Sequence, residues 1–392
     1  MIFKDCDLSP GLLKALEEKG FKDATPIQQK AMPKIASGVD LLASAQTGTG
    51  KTGAFLIPLL ERISRPSPIN SRGPRVLILV PTRELAVQVA KEAVELSKYL
   101  KKVSVVTIYG GAPYPIQIRQ LSRPHEILVA TPGRLIDHLE RGRLDFSRLE
   151  TLILDEADRM LDMGFIKPVE QIAAATPKER QTLLFSATLK KSVLALAKDL
   201  LNKPQEIHVS APQAKHDLID QRLHETQGLR QKNELLDKVL KDESINQAII
   251  FTSTKRHADQ LSKELCQKGH LSASLHGDMN QRERNRTIRN LKSGEVKLVV
   301  ATDVAARGID IDTITHVINF DLPMNAEDYV HRIGRTGRAG RKGVALSFAS
   351  PADRSKLKAI EKYTGLSLSP VKENRENRES REKRPKSRHR RA

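Results

Sequence analysis

Ala45-Gln46-Thr47-Gly48-Thr49-Gly50-Lys51-Thr52 is the stretch on which the reading of this chain turns. It follows Leu41-Leu42-Ala43, a short apolar run that reads as a buried strand. Two glycines let the backbone curl until its N–H groups can face phosphate oxygens. Lys51 supplies charge for the terminal phosphates, and the Thr52 hydroxyl is a ligand for Mg²⁺. Gly53 to Arg62 reads as a helix, whose N-terminal dipole adds to an anion site. Ala45 stands where the strict pattern of such a loop has its first glycine. Strand, Gly/Thr loop and helix in this order imply a nucleoside triphosphate site on an α/β fold.

Outward from this loop, short apolar runs alternate with helical patterns, as parallel βαβ units require. The strand candidates of the first half are residues 40–44, 76–80, 103–108, 127–130, 151–154 and 182–185. The second half repeats the pattern at 248–251, 272–275, 297–301, 316–319 and 344–348. Ser9 before Pro10, with Gly20 beyond, frames a short helix. Asn202 to about His216 is polar, proline-bearing and without periodicity, as a linker is. The expected boundaries are a first domain over 1–208, a linker over 209–216, a second domain over 217–368 and a disordered tail over 369–392.

Composition sets the outer bounds. At 392 residues the chain exceeds one ordinary core. Its 39% hydrophobic and 29% charged residues are those of a soluble globular protein. No apolar run approaches a membrane span, and no signal sequence opens the chain, which points to the cytoplasm. Cys6 and Cys266 lie far apart and have no metal-ligand spacing. The net charge of +19 calls for a polyanionic partner, and nucleic acid fits better than a membrane surface because no amphipathic anchor accompanies it.

Most of the polar clusters begin where an apolar strand ends. Pro81-Thr82-Arg83-Glu84-Leu85-Ala86 follows the second candidate strand, and Thr131-Pro132-Gly133-Arg134 the fourth. Asp155-Glu156-Ala157-Asp158 and Ser186-Ala187-Thr188 follow the fifth and sixth. Thr252-Ser253-Thr254, His276-Gly277 and Thr302-Asp303 hold the same place in the second half. Open α/β sheets bind ligands beyond the carboxyl ends of their strands. Two sheets presenting such edges to one another would enclose a shared site.

Together these clusters resemble the DEAD-box ATP-dependent RNA helicases, from about Phe3 to Phe348. Ala45–Thr52 is similar to that family's phosphate loop, and Asp155-Glu156-Ala157-Asp158 spells its name. Ser186-Ala187-Thr188, Thr302-Asp303-Val304-Ala305-Ala306-Arg307-Gly308 and His331-Arg332-Ile333-Gly334-Arg335-Thr336-Gly337-Arg338 complete the set in order. The closest flavour is the bacterial RhlE type with a short basic tail. The resemblance implies two RecA-like parallel-sheet domains in tandem, joined by a short linker. It also implies ATP and Mg²⁺ as cofactors and RNA as partner, in a monomeric core; ribosome-assembly or RNA-decay partners would fit.

The resemblance assigns roles by position. Asp155 would hold Mg²⁺ with Thr52, and Glu156 would orient and deprotonate the attacking water. The bland reading makes both acids caps of the next helix. Asp158, Ser186, Thr188 and His331 would couple the nucleotide to the rest of the machine, with Asp158 linked to Ser186 and Thr188. Arg335 and Arg338 would act as arginine fingers, where spacing alone reads as a solvated helix end. Gly308 and Asp310 would touch ribose or phosphate. Phe21-Lys22-Asp23-Ala24-Thr25-Pro26-Ile27-Gln28 resembles the Q motif, in which the Gln28 amide suits an adenine edge. Phe3 either stacks on the base or packs on the helix after Ser9.

RNA contacts would come from Thr82, Arg83, Gly110, Gly111, Thr131, Gly133 and Arg134, and from Thr254, Arg256, Gly277, Gln281, Arg284 and Thr302. Hydroxyls, backbone N–H groups and guanidinium hold a phosphate backbone without reading bases. With 4% aromatics and no tryptophan there is no stacking platform for sequence reading. The activity expected is ATP hydrolysis coupled to local separation of short RNA duplexes. An ATP-gated RNA clamp would use the same residues, and a DNA translocase is disfavoured by the acidic box and the Q motif.

Overall fold

The computed structural model describes residues 2–3, 6–45, 48–209, 218–306, 311, 313–337 and 340–368. Gln46, Thr47, Gly308, Asp310 and Arg338 lie outside the described residues, as do most of the expected linker and the tail. The chain divides into two compact units.

The first unit is built on β1 (Leu41–Ala45), β2 (Val76–Leu79), β3 (Val105–Ile108), β4 (Ile127–Ala130), β5 (Thr151–Leu154), β6 (Gln181–Ser186) and β7 (Gln205–Val209). They form one parallel sheet in the order β3-β4-β2-β5-β6-β1-β7. Its helices are α1 (Pro10–Glu18), α2 (Pro26–Ala36), α3 (Lys51–Ile63), α4 (Arg83–Leu96), α5 (Tyr114–Leu121), α6 (Pro132–Glu140), α7 (Ala157–Asp162), α8 (Ile166–Ala174) and α9 (Lys191–Leu200). Alternate residues of the central strands point to opposite faces, so each strand feeds two cores. Leu41, Ala43, Ile78, Ile153 and Phe185 pack with α1 to α4. Leu42, Leu77, Leu79, Leu152, Leu154 and Leu184 pack with α6 to α9.

The second unit repeats the plan with β8 (Ile219–Glu225), β9 (Ala248–Phe251), β10 (Ser272–Leu275), β11 (Leu298–Ala301), β12 (His316–Asn319) and β13 (Gly343–Ala349). The parallel order is β10-β11-β9-β12-β13-β8. Its helices are α10 (Leu229–Val239), α11 (Lys255–Gln267), α12 (Gln281–Ser293), α13 (Asp303–Ala306), α14 (Ala326–Ile333) and α15 (Arg354–Thr364). α10 and α11 cover one face of the sheet, and α14 and α15 the other.

Five of the eleven expected strands have the expected bounds and the others shift by one or two residues. Two strands went unread. β7 lies inside the stretch read from Asn202 as a linker, where it pairs with β1 along the sheet edge. Only Ile207 of its five residues is buried, so it carries no apolar run. β8 likewise buries only Ile219 and Leu223 and carries charged residues between them. Edge strands bury half or less of their side chains, and the apolar signal fades accordingly.

No helix among the described residues is long and apolar enough to cross a membrane.

Candidate functional site

Strand register brings the clusters of the first unit to one edge. Ser44 is level with Ser186, and Leu154 with Leu184. The neighbours β5, β6 and β1 therefore end together and release the acidic box, Ser186-Ala187-Thr188 and the Gly-rich loop side by side. On the other half of the edge Leu79 and Ile108 are both level with Ala130. That places the segments after β2, β3 and β4 together. These hold Thr82 and Arg83, Gly110 and Gly111, and Thr131 to Arg134.

At the Gly-rich loop, Gly48 and Gly50 have φ of +76° and +92°, the left-handed region that favours glycine. Gly50 is the N-cap of α3. Lys51 is 6% exposed, and its Nζ donates to the Ala45 carbonyl at 2.8 Å. The Gln28 amide is engaged at both ends: Oε1 accepts from Thr25 N at 2.8 Å and Nε2 donates to Gly50 O at 3.2 Å. It ties the Q motif to the loop, and a Cβ on either Gly50 or Gly53 would sit 2.8 Å from its Nε2. Thr25 Oγ1 is buried beside Gly50 at the N-cap of α2, where Thr25 and Gln28 form a capping box.

Phe3 takes the packing alternative. It is 2% exposed in the core with Leu12 and Leu16. Phe21 stacks on it at 6.2 Å and is only half-buried, so Phe21 is the aromatic left with an accessible surface.

The acidic box does not cap α7. Asp155 Oδ1 accepts from Glu156 N at 3.0 Å, the one hydrogen bond of its carboxylate among the described residues. Burial pushes its carboxyl up to about 6, against the pull of the nearby Lys51 charge. Glu156 occupies the N-cap position with φ +54° and ψ +49°, a left-handed conformation costing a non-glycine residue roughly 1–2 kcal/mol. Its side chain makes no cap bond and instead meets Arg159 at 3.5 Å. Arg159 went unremarked in the sequence, although an acid and a base three apart on a helix are a readable pair.

Asp158 links forward as the resemblance implied, with one difference. Its Oδ2 accepts from Ala187 N at 3.1 Å, Thr188 N at 3.0 Å and Thr188 Oγ1 at 3.2 Å. Ser186 does not reach it: the Ser186 hydroxyl donates to Thr188 O at 2.6 Å. The loop after β6 is thereby tied to the acidic box.

Several candidate RNA contacts also serve the fold. Thr82 Oγ1 accepts from Leu85 N at 3.3 Å and caps α4; Thr254 Oγ1 accepts from His257 N at 3.2 Å and caps α11. Arg134 donates to Ala112 O at 3.1 Å and lies over the Tyr114 ring at 4.1 Å. Arg83 rests against Gly110 and Gly111, and Gly111 has φ +87°. In the second unit Arg284 is buried and donates to His276 O and Ala305 O. Thr302 is also buried, Gln281 is half-buried, and Arg256 and Gly277 are exposed.

Arg335 lies in the turn after α14, with its Nε donating to the carbonyl of His331 at 3.1 Å. A network the sequence reading passed over supports that helix. Arg332 makes a bidentate pair with Asp303 at 2.5 and 2.8 Å and stacks over Phe251 at 4.8 Å.

Comparison with known proteins agrees with this geometry. The family model described as DEAD/DEAH box helicase matches residues 25–196, and the helicase conserved C-terminal domain matches 231–340. The chain is 42% identical over 372 residues to the ATP-dependent RNA helicase CshA of Listeria monocytogenes, covering 94% of this chain and 70% of the relative. It is 43% identical over 371 residues to the DEAD-box ATP-dependent RNA helicase CshA of Bacillus subtilis, covering 95% and 74%. Among solved structures, S. cerevisiae Dbp5 bound to RNA and ADP BeF3 aligns with a TM-score of 0.84 at 32% identity, covering 94% and 95%. The chain belongs to the DEAD-box family of ATP-dependent RNA helicases.

Proposed function

We propose that this protein hydrolyses ATP on RNA and uses the cycle to open short duplexes locally. The register that ends β1, β5 and β6 together carries the reading, because it sets the Gly-rich loop beside Asp155, Glu156 and the Asp158–Thr188 link. Gly48, Thr49, Gly50 and Lys51, with Gln46 and Thr47, cradle the phosphates. Phe21, Thr25 and Gln28 border the base. Glu156, held by Arg159, orients the water and takes its proton. Arg335 and Arg338 supply further positive charge to the transition state, as in related phosphoryl transfer.

Thr52 and Asp155 would hold Mg²⁺, which when bound neutralises phosphate charge. A buried carboxyl pushed up to about 6 fits a cation site, since a cation restores the ionised form that burial disfavours. The RNA backbone would run over Thr82, Arg83, Gly110, Gly111, Thr131, Gly133 and Arg134, and over Thr254, Arg256, Gly277, Gln281, Arg284 and Thr302. Gly308 and Asp310 would complete the nucleotide contacts. The division at 1–208, 209–216 and 217–368 has the two sheets in its favour, although Val209, counted in the linker, is the last residue of the first sheet. The RhlE-type subgroup rests on the short basic tail alone, and the relatives reported above carry the name CshA. A cytoplasmic, monomeric core remains part of the reading.

Glu156→Gln tests the core of this reading. It should leave ATP and RNA bound together without turnover, in an assay that follows phosphate release and strand separation on a short duplex. Turnover at the normal rate would overturn it. Normal turnover of the parent protein without strand separation would make the protein an RNA clamp instead.

A further inference from the structure

The segment from Tyr109 to Pro113 leaves β3 and carries Gly110 and Gly111. It belongs to no helix or strand, so its carbonyls must find partners elsewhere. One side chain supplies two of them. Gln117 Nε2 donates to Tyr109 O at 3.1 Å and to Ala112 O at 3.0 Å, bracketing the two glycines between anchored carbonyls. Gln117 sits in the second turn of α5 and is 1% exposed.

The two donated bonds fix which end of the amide faces the loop, so Gln117 Oε1 must accept. Its partner is His138 Nε2 at 3.3 Å, on a fully buried ring of α6. His138 must therefore carry its proton on Nε2. Its Nδ1 is buried with no partner among the described residues. The Tyr114 ring lies 5.1 Å from the imidazole and holds its plane, while the Tyr114 hydroxyl donates to Asp137 at 2.7 Å. Burying two polar side chains and leaving one nitrogen unsatisfied is unfavourable compared with an apolar contact of the same shape. What the arrangement yields is a fixed path for Gly110 and Gly111.

We propose that Gln117, oriented by His138, is a positioning residue for RNA: it holds the Gly110–Gly111 backbone where it can meet a phosphate. The proposal rests on the reading that this loop touches RNA. Gln117 itself need not touch RNA or nucleotide, so affinity for RNA should depend on it far more than the chemical step does.

ATP hydrolysis by the full-length protein, titrated with a single-stranded oligouridine, tests this. Gln117→Leu should raise the RNA concentration for half-maximal stimulation by about tenfold, the factor expected for losing hydrogen bonds of ordinary net strength. The rate at saturating RNA should stay within about twofold. Gln117→Glu keeps the size but replaces the donor by an acceptor, and should do at least as much damage. His138→Leu should raise the half-saturation point, and His138→Gln, which restores an N–H donor, should recover part of it. Gly111→Ala forces a Cβ into the left-handed position against Arg83 and tests the loop's contact with RNA directly.

If Gly111→Ala weakens RNA stimulation while Gln117→Leu leaves it unchanged, the positioning role is overturned and the loop reading stands. If Gly111→Ala leaves it unchanged, the loop reading itself falls and the positioning role with it. Equal losses for His138→Leu and His138→Gln, or a fall in the saturated rate in place of the half-saturation shift, would mark the pair as merely structural. Should Gln117→Leu fail to fold, as judged by its thermal melt, the two His138 variants decide.

Discussion

Both sheets follow one plan, in which β3-β4-β2-β5-β6-β1 of the first corresponds in order to β10-β11-β9-β12-β13-β8 of the second, with β7 added at the first sheet's edge. After β1 comes α3 with Lys51, and after β8 comes α10 with Lys232. Beyond β5 stands Asp155, and beyond the corresponding β12 stands Asp321. Each unit thus sets a buried lysine and an aspartate at matching places, and treats them oppositely. Lys51 and Asp155 make no direct ion pair among the described residues, and burial pushes the Asp155 carboxyl up. Lys232 pairs with Asp321 at 3.0 Å and also donates to Phe320 O at 2.7 Å. Asp321 further accepts from Ser253 N and Oγ at 3.0 and 3.1 Å. Burial opposes ionisation there too, yet His257, Ser253 and Lys232 together hold the carboxyl far below the usual range. A charge pair satisfied from within is scaffold, and one left under tension is a place for a ligand.

Arg335→Ala should show the largest effect on turnover. Arginines that neutralise a transferring phosphoryl group contribute on the order of 10³–10⁵ in rate. RNA-stimulated hydrolysis should fall by that order, with nucleotide binding followed separately by a fluorescent analogue and little changed. Near-normal turnover would return Arg335 to the structural role of bracing the end of α14.

Lys51→Ala against Lys232→Met breaks the comparison directly. Losing a preorganised donor to developing charge costs roughly 10²–10³ in rate, and Lys51→Ala should lose at least that along with ATP affinity. Lys232→Met should keep most of its turnover at low temperature, because its partner serves the scaffold. Its loss should appear in the melt, where leaving one member of a buried pair alone costs about 3 kcal/mol. A Lys232→Met protein that melts normally but no longer hydrolyses ATP would erase the distinction between the two units.

The sequence made the catalytic edge of the first unit readable for a physical reason. A phosphate site needs glycines at φ values that few other residues adopt, and lysine, threonine and acids at fixed points, so Gly48, Gly50, Lys51 and Asp155 stand out letter by letter. Central strands such as β4 and β9 stand out because both faces are buried. Edge strands β7 and β8 did not, since Ile207 alone, or Ile219 and Leu223 among charges, makes no run. Nor could one-letter reading tell how a bifunctional group divides its bonds. Thr82 and Thr254 serve as helix caps, the Gln28 amide is engaged on both ends, and Ser186 turns to Thr188 instead of Asp158. Gln117 and His138 were invisible because their value lies in a contact between two helices, with no local pattern around either residue.

Acid sharpens the same contrast at moderate size. Asp321 has its folded-state pKa depressed, so the stability it contributes is fully present above the ordinary carboxylate pKa and is lost progressively as pH falls from there down through its depressed folded-state value. Asp321→Asn should therefore melt well below the parent at pH 7, and the gap should narrow as the pH is lowered towards 3. A gap that stays constant with pH would mean that the contribution of Asp321 is packing and hydrogen bonding, with no part for its charge.

The smallest effect should come from the tail. Residues 372–392 hold ten Lys or Arg and four Asp or Glu, a surplus of six positive charges, with almost nothing apolar among them. Every catalytic cluster lies upstream, and the body without this stretch is itself basic. On a single strand each neutralised phosphate steepens the log–log dependence of affinity on salt by about 0.7. Removing the stretch from residue 369 onward should flatten that slope and raise the RNA concentration for half-stimulation, while the maximal ATPase rate stays nearly constant. The measurement is RNA binding at several salt concentrations for the full and shortened chains. An unchanged slope would remove the tail from RNA binding and leave the body's charge as the whole electrostatic contribution. A collapse in the maximal rate would instead tie residues beyond 368 to the working of the second unit.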